Sequence, residues 1–181
     1  MSHALILECK EWWPVVQNVV GAVTVAGGWS LPESGAPTPA AYDGSNIVAG
    51  IMNFTEAGSE SMQRQFRLPS DWKGAIDLAL FWRTTATTGN VVWQIATAFA
   101  TDDDVVDPAF NAAQTIIDAA KGTGSDRNLA SLAALTLTGA VAGSLMTLKL
   151  FRDPAHASDT LGATASLEGV EVTYRRLVTI G

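Results

Sequence analysis

The chain has 181 residues, 48% of them hydrophobic, enough for one ordinary domain with a sizeable core. Its 11 Lys+Arg against 18 Asp+Glu leave a formal charge of -7. That balance argues against nucleic acid as a partner, because phosphate binding needs a basic footprint. A single cysteine, Cys9, excludes an intrachain disulfide and any Cys₄ or Cys₂His₂ metal site.

No basic n-region followed by an apolar run opens the chain, so no signal peptide is expected. Nor does any stretch approach the ~20 apolar residues that cross a bilayer, so no membrane partner is expected. Synthesis in the cytosol follows from both. Residues 4–8 suit a short strand, and Trp12-Trp13-Pro14 a bulky anchor. Residues 1–14 read as an N-terminal arm or edge segment, and 15–181 as a single domain. Residues 15–25 are rich in valine, and Val19, Gly21, Val23 and Val25 would share one face of a strand ending at Gly27-Gly28. Residues 29–43 hold three of the seven prolines and read as a loop, since proline cannot donate to a sheet ladder. Strands are expected over 47–54 and 62–68.

The centre of the chain, residues 66–99, reads as a β-hairpin with a wide Thr-rich tip. Ile76, Leu78, Leu80 and Trp82 alternate with Ala75, Asp77, Ala79, Phe81 and Arg83. Val91, Trp93, Ile95, Thr97 and Phe99 alternate with Val92, Gln94, Ala96 and Ala98. Period-two alternation over such a length marks a strand with one buried face. The tip ends in Gly-Asn, residues that accept positive φ at low cost. Trp82 and Trp93 fall on the inward faces and are expected in the core.

Residues 101–111 are a polar loop, and 112–120 suit either strand or short helix. A loop over 122–128 precedes a strand at 129–137, and GAVAG turns the chain. In 145–152, Met146, Leu148 and Leu150 alternate with Leu145, Thr147, Lys149 and Phe151. After a polar loop, the last strand, 167–180, places Val170, Val172 and Tyr174 on one face and Glu171, Thr173 and Arg175 on the other. This makes about eight to ten strands and no long amphipathic helix. It indicates an all-β antiparallel β-sandwich, jelly-roll-like, with two sheets burying their inward stripes.

Chemistry is sparse. Asp102, Asp103, Asp104 and Asp107 form the one dense carboxylate cluster. Calcium takes several oxygen ligands, but the spacing matches no EF-hand loop, and a solvated turn is the favoured reading. His156 stands between Asp153 and Asp159, yet no nucleophile motif accompanies it, so no catalytic role is expected. No Walker loop and no H-E-x-x-H occurs, and no cofactor is called for. Of the six tryptophans, Trp12, Trp13 and Trp29, with Tyr42, are the candidate contact residues. Trp12 and Trp13 are adjacent, so in an extended segment their side chains point to opposite faces. One core receives one of them, and the other needs a second apolar surface, such as a neighbouring subunit.

The stretch FRLPSDWKGAIDLALFWR, then TGNVVWQI, then LKLFRD with SDTL, and finally LEGVEVTY resembles a domain of tailed-phage and prophage structural proteins. In that family an aromatic-Leu-Pro-x-x-Trp/Tyr-x-Gly stretch leads into a strand ending in Trp. A Gly-Asn/Asp-Val-x-Trp strand, a Leu-rich strand ending in Arg-Asp, and a Gly-Val-x-Leu/Val-x-Tyr strand follow. The likeness covers residues 45–181. It implies a jelly-roll-like sandwich located in a virion, oligomeric (a homotrimer is expected) and attached to another virion protein such as a major capsid or tail protein. It implies no catalytic residues. Head or tail location stays open, as does the alternative of a phage-tail module binding host-surface glycan.

Overall fold

A computed structural model describes residues 3–14, 18–20, 22–24 and 29–180, and the side chains of 10–12 and 29–177. The described residues form thirteen strands and no helix. The strands are β1 (His3–Pro14), β2 (Asn18–Val20), β3 (Ala22–Thr24), β4 (Trp29–Ser30) and β5 (Thr38–Asp43). They continue as β6 (Val48–Phe54), β7 (Ser61–Arg67), β8 (Trp72–Arg83), β9 (Asn90–Ala100) and β10 (Gln114–Ala119). The last three are β11 (Arg127–Leu132), β12 (Leu145–Arg152) and β13 (Ala165–Ile180).

One sheet runs β11-β8-β13-β6-β5, with β1 also paired to β13, and the other runs β10-β9-β12-β7-β4. Every pairing is antiparallel. Within these sheets the quartets β6-β13-β8-β11 and β7-β12-β9-β10 have jelly-roll order. The expected all-β antiparallel sandwich is therefore what forms. Its core draws Ile76, Leu78, Leu80 and Trp82 from one sheet and Trp93, Ile95, Met146, Leu148 and Leu150 from the other. Trp82 and Trp93 meet edge-on at 6.3 Å, and Phe54 caps Trp93 at 5.1 Å.

The central stretch is not a hairpin. β8 pairs with β11 and β13, whereas β9 pairs with β10 and β12. The two strands lie in opposite sheets, and the tip carries the chain from one layer to the other. Alternation specifies that one face is buried; it does not say which neighbour a strand bonds to. Gly89, at φ +100, makes the corner possible, because a Cβ there would lie 2.7 Å from the Thr160 carbonyl oxygen. β9 also departs from clean alternation: Val92, Ala96 and Ala98 on its second face are buried too.

Other elements differ in detail. Within 15–25, β2 and β3 pair as a short hairpin, Val19 opposite Val23, rather than forming one strand; the side chains there lie outside the described residues. Residues 29–43 are not all loop. Thr38–Asp43 is an edge strand, the position where a proline is tolerated, and Pro39 stands opposite Met52. Residues 112–120 resolve as strand. The strand expected at 129–137 is Arg127–Leu132; beyond it Ala134 takes φ 53 and Leu135 turns in, its N–H donating to the Ile76 carbonyl. In β13 a bulge at Glu168 slips the register between Leu167 and Gly169, so Leu167 and Val170 both reach the core. β13 then changes partner: residues 165–167 bond β6, and 169–180 bond β1 along its whole length.

Candidate interaction surface

The outward face of the β11-β8-β13-β1 layer carries an apolar stripe that crosses the strands. Phe81 of β8 stands opposite Leu129 of β11 on one side and Gly169 of β13 on the other. The glycine leaves a gap in the row, and the Trp12 indole fills it, meeting Phe81 edge-on at 5.0 Å. Trp12 and Leu129 remain 50% and 51% exposed. This is large apolar area left in water on a flat sheet, the kind of feature that marks contact sites.

Charged pairs border the stripe. Below it lie Lys10 with Glu171 at 3.3 Å and Arg175 with Asp77 at 3.8 Å. Above it Glu168 receives both Arg127 at 2.7 Å and Arg83 at 3.4 Å. Lys10, Arg83, Arg127 and Arg175 thus offset Asp77, Glu168 and Glu171. The face is near neutral although the chain carries -7. Exposed pairs such as Lys10–Glu171 add little stability; their consequence is that this face repels a second copy less than the rest of the surface does.

Gly169 is what seats Trp12. A Cβ at that position would collide with the indole. Gly169→Ala is expected to cost about 1–3 kcal/mol, the usual penalty of overpacking. In a Trp12→Ala background the same change should cost little, because the colliding ring is gone. Chemical denaturation of the four proteins of this cycle measures the coupling; equal costs in both backgrounds would refute the contact.

The four residues singled out from the sequence separate. Trp12 is on the stripe. Trp13 pairs in backbone with Val170, and its side chain lies outside the described residues. Trp29 is 5% exposed and belongs to the core, so its ring is not on the surface of the chain. Tyr42, on edge strand β5, lies over Arg83, the guanidinium carbon 3.3 Å from the ring centroid. Gly44 makes room for that ring, since a Cβ there would stand 2.8 Å from Tyr42 Cε1. Phe81, Leu129 and Arg83 were not anticipated as surface contacts. The available signal was Phe81 itself, an aromatic on the outward side of a strictly alternating strand.

Tyr42 and Arg83 divide two adjoining depressions on this face. The larger, about 390 Å³, is lined by Ile51, Asn53, Thr84, Thr164 and Ser166 with that pair. The smaller, about 170 Å³, adds Ile47, Arg127 and Glu168. Within the larger, the Ser166 hydroxyl donates to Asn53 Oδ1 at 2.7 Å, which leaves the Asn53 amide hydrogens to face outward partners.

The His156 segment is built as a scaffold. Asp159 is occupied by Arg152 through Nε at 3.0 Å and Nη2 at 2.8 Å. His156 Nδ1 accepts the Ser158 N–H, and the Asp153 N–H donates to the Val92 carbonyl. In the loop at 101–111, Asp104 turns back and accepts from the Thr101 N–H and hydroxyl, each at 2.6 Å. Those bonds hold its carboxyl below the ordinary aspartate range. Among the described residues no three His, Cys, Asp or Glu side chains are grouped to hold a metal ion.

Fold and surface together define an antiparallel jelly-roll sandwich with an exposed aromatic stripe on one sheet. No known family model matches the chain, and no curated protein matches it. Several solved structures are similar in fold. One is a cycloisomaltooligosaccharide glucanotransferase of Paenibacillus sp. complexed with cycloisomaltoheptaose (TM-score 0.44, 14% identity, 87% of this chain and 19% of that one). Another is CBM28, a carbohydrate-binding module specific for non-crystalline cellulose (TM-score 0.45, 9% identity, 83% and 88%). A third is infectious bursal disease virus, Gx strain (TM-score 0.37, 13% identity, 99% and 55%). Likeness at this level carries no argument about what the chain binds or does.

Proposed function

We propose that the protein is a non-enzymatic virion structural component of a tailed phage or prophage, a capsid-decoration protein or a minor head or tail protein. It acts by association, with its own copies as a homotrimer and with another virion protein such as the major capsid or tail protein. The observation that supports this reading best is the Trp12–Phe81–Leu129 stripe with its bordering ion pairs. Apolar centre and polar rim are the anatomy of a protein interface, and large aromatics dominate the binding energy of such surfaces. The sequence resemblance over 45–181 supplies the virion context.

Leu129→Glu places a charge in the stripe without touching the core, since Leu129 is half exposed. It is expected to leave the melting temperature near that of the parent while shifting sedimentation from trimer towards monomer and weakening particle binding by about tenfold or more. A variant with parental oligomer mass and parental particle binding would overturn the assignment of this face.

A second reading, a carbohydrate-binding module of a phage tail, is favoured by one observation, the polar cleft beside Tyr42. Concave sites of this size lined by a few convergent polar groups suit small ligands.

A further inference from the structure

We propose that the Tyr42–Arg83 cleft binds the carboxylate of an acidic sugar residue; the inference rests on the second reading above. Two buried arginines make the argument by contrast. Arg152 is fully enclosed and every part of its guanidinium is used. Nε and Nη2 hold Asp159, Nη1 donates to the carbonyls of Phe54 and Ala163, and Nη2 also donates to the carbonyl of Leu161. That is how a purely structural buried arginine is expected to look.

Arg83 is 9% exposed and is treated differently. Its Nε faces Glu168 at 3.4 Å. Its Nη2 is buried with no partner, and no described group accepts from Nη1. The terminal fork is therefore unpaired. Tyr42 covers the guanidinium with its ring face, which excludes water and fixes the plane but offers no carboxylate oxygen. Glu168 faces Nε rather than the fork, and its other oxygen accepts from Arg127 at 2.7 Å. A planar fork covered by the ring and left without an acceptor matches a carboxylate that reaches it once the ring moves aside, accepting two parallel N–H bonds.

The rest of the cleft selects a sugar around that carboxylate. No acidic side chain lines the larger depression; Asn53, Thr84, Thr164 and Ser166 do. Hydroxyl and amide groups of this kind exchange hydrogen bonds with ring hydroxyls, and Ile51 offers an apolar wall. A volume of about 390 Å³ is in the range of small-ligand sites. Tyr42 stands on an edge strand bonded to β6 alone among the described residues, so the ring can shift as the carboxylate reaches the fork.

The test titrates the full chain with N-acetylneuraminic acid and glucuronic acid, with N-acetylglucosamine and glucose as neutral counterparts, and with acetate and a glutamate-rich peptide. Saturation-transfer NMR and calorimetry read the binding. The acidic sugars are expected to bind about tenfold tighter than the neutral ones. Arg83→Lys, which keeps charge and loses the fork, should erase that preference. Asn53→Ala should weaken binding of both classes in a chain that still folds. Neutral sugars binding as well as acidic ones would overturn the carboxylate inference and leave the carbohydrate reading standing. Acetate or the peptide binding as tightly as the acidic sugars would overturn it in favour of a bare carboxylate site. No binding by any sugar would overturn both.

Discussion

Asp159→Ala is expected to destabilise the fold by about 3–5 kcal/mol, the cost of leaving a buried charge without its counter-ion. The side chains of Arg152 and Asp159 are 0% and 2% exposed. Their two-point contact is joined by the Val92 N–H, which donates to Asp159 Oδ2 at 3.0 Å. The cluster thereby ties the end of β12, the loop over 153–164, the start of β9 and, through the Phe54 carbonyl, the end of β6. Removing the carboxylate strands the guanidinium among carbonyls and frees the loop. Replacing both partners, as Arg152→Met with Asp159→Leu, should cost less than the sum of the single changes, because no unpaired charge is then left. Denaturant titration of Asp159→Ala, Arg152→Met, Asp159→Leu and the double variant measures this. An Asp159→Ala protein within 1 kcal/mol of the parent would show that the pair does not hold the loop.

This pair also shows what sequence could and could not disclose. Arg152 and Asp159 sit in the stretches LKLFRD and SDTL, whose residue types alone give no reason for the two side chains to meet. Their meeting depends on a loop that folds back along β9, where the Thr160 and Leu161 N–H groups both donate to the Asn90 carbonyl. No spacing rule encodes that return. The inward stripes of β8, β12 and β13 were legible, because alternation is a local property of a half-buried strand. Pairing was not. The run 66–99 looked like one hairpin, since two alternating segments with a Gly-Asn tip satisfy the hairpin pattern whether or not the strands bond to each other. The edge strand Thr38–Asp43 was hidden for the opposite reason. Its prolines read as loop, although an edge position leaves one side of the ladder free.

The interaction face was half legible. Adjacent Trp12 and Trp13 showed that one of the two has no place in the chain's own core, without showing which. The seat of Trp12 was not legible, because the seat is an absence, the missing side chain of Gly169, and the glycine carried no turn signal. Arg83 looked like the polar end of a strand. Only the structure shows Tyr42, more than forty positions away on edge strand β5, lying across it.

The two core tryptophans are expected to part company when each is replaced by phenylalanine, although Trp82→Ala and Trp93→Ala should each cost about 3–5 kcal/mol. Both rings are 0% exposed and touch each other across the sandwich. Their indole N–H groups differ. Trp82 Nε1 donates to Asp118 Oδ2 at 2.7 Å, a charge-assisted bond that runs from β8 to β10 and so links the two sheets near their edge. Trp93 Nε1 is buried and has no partner among the described residues. Phenylalanine at 82 keeps most of the apolar contact but removes a bond to a carboxylate, worth about 1.5–3 kcal/mol, on top of the cavity left by the lost ring. Phenylalanine at 93 leaves a similar cavity while deleting a donor whose unmet burial costs about 1–3 kcal/mol, so the two effects offset. Trp93→Phe should therefore be the milder change by about 1.5 kcal/mol or more. Asp118→Asn, which weakens the acceptor without altering the core, should recover part of the Trp82→Phe loss and leave Trp93→Phe unaffected. Equilibrium denaturation gives all five free energies. If Trp93→Phe proved the costlier substitution, the cross-sheet bond of Trp82 would not be the contact that distinguishes the two rings.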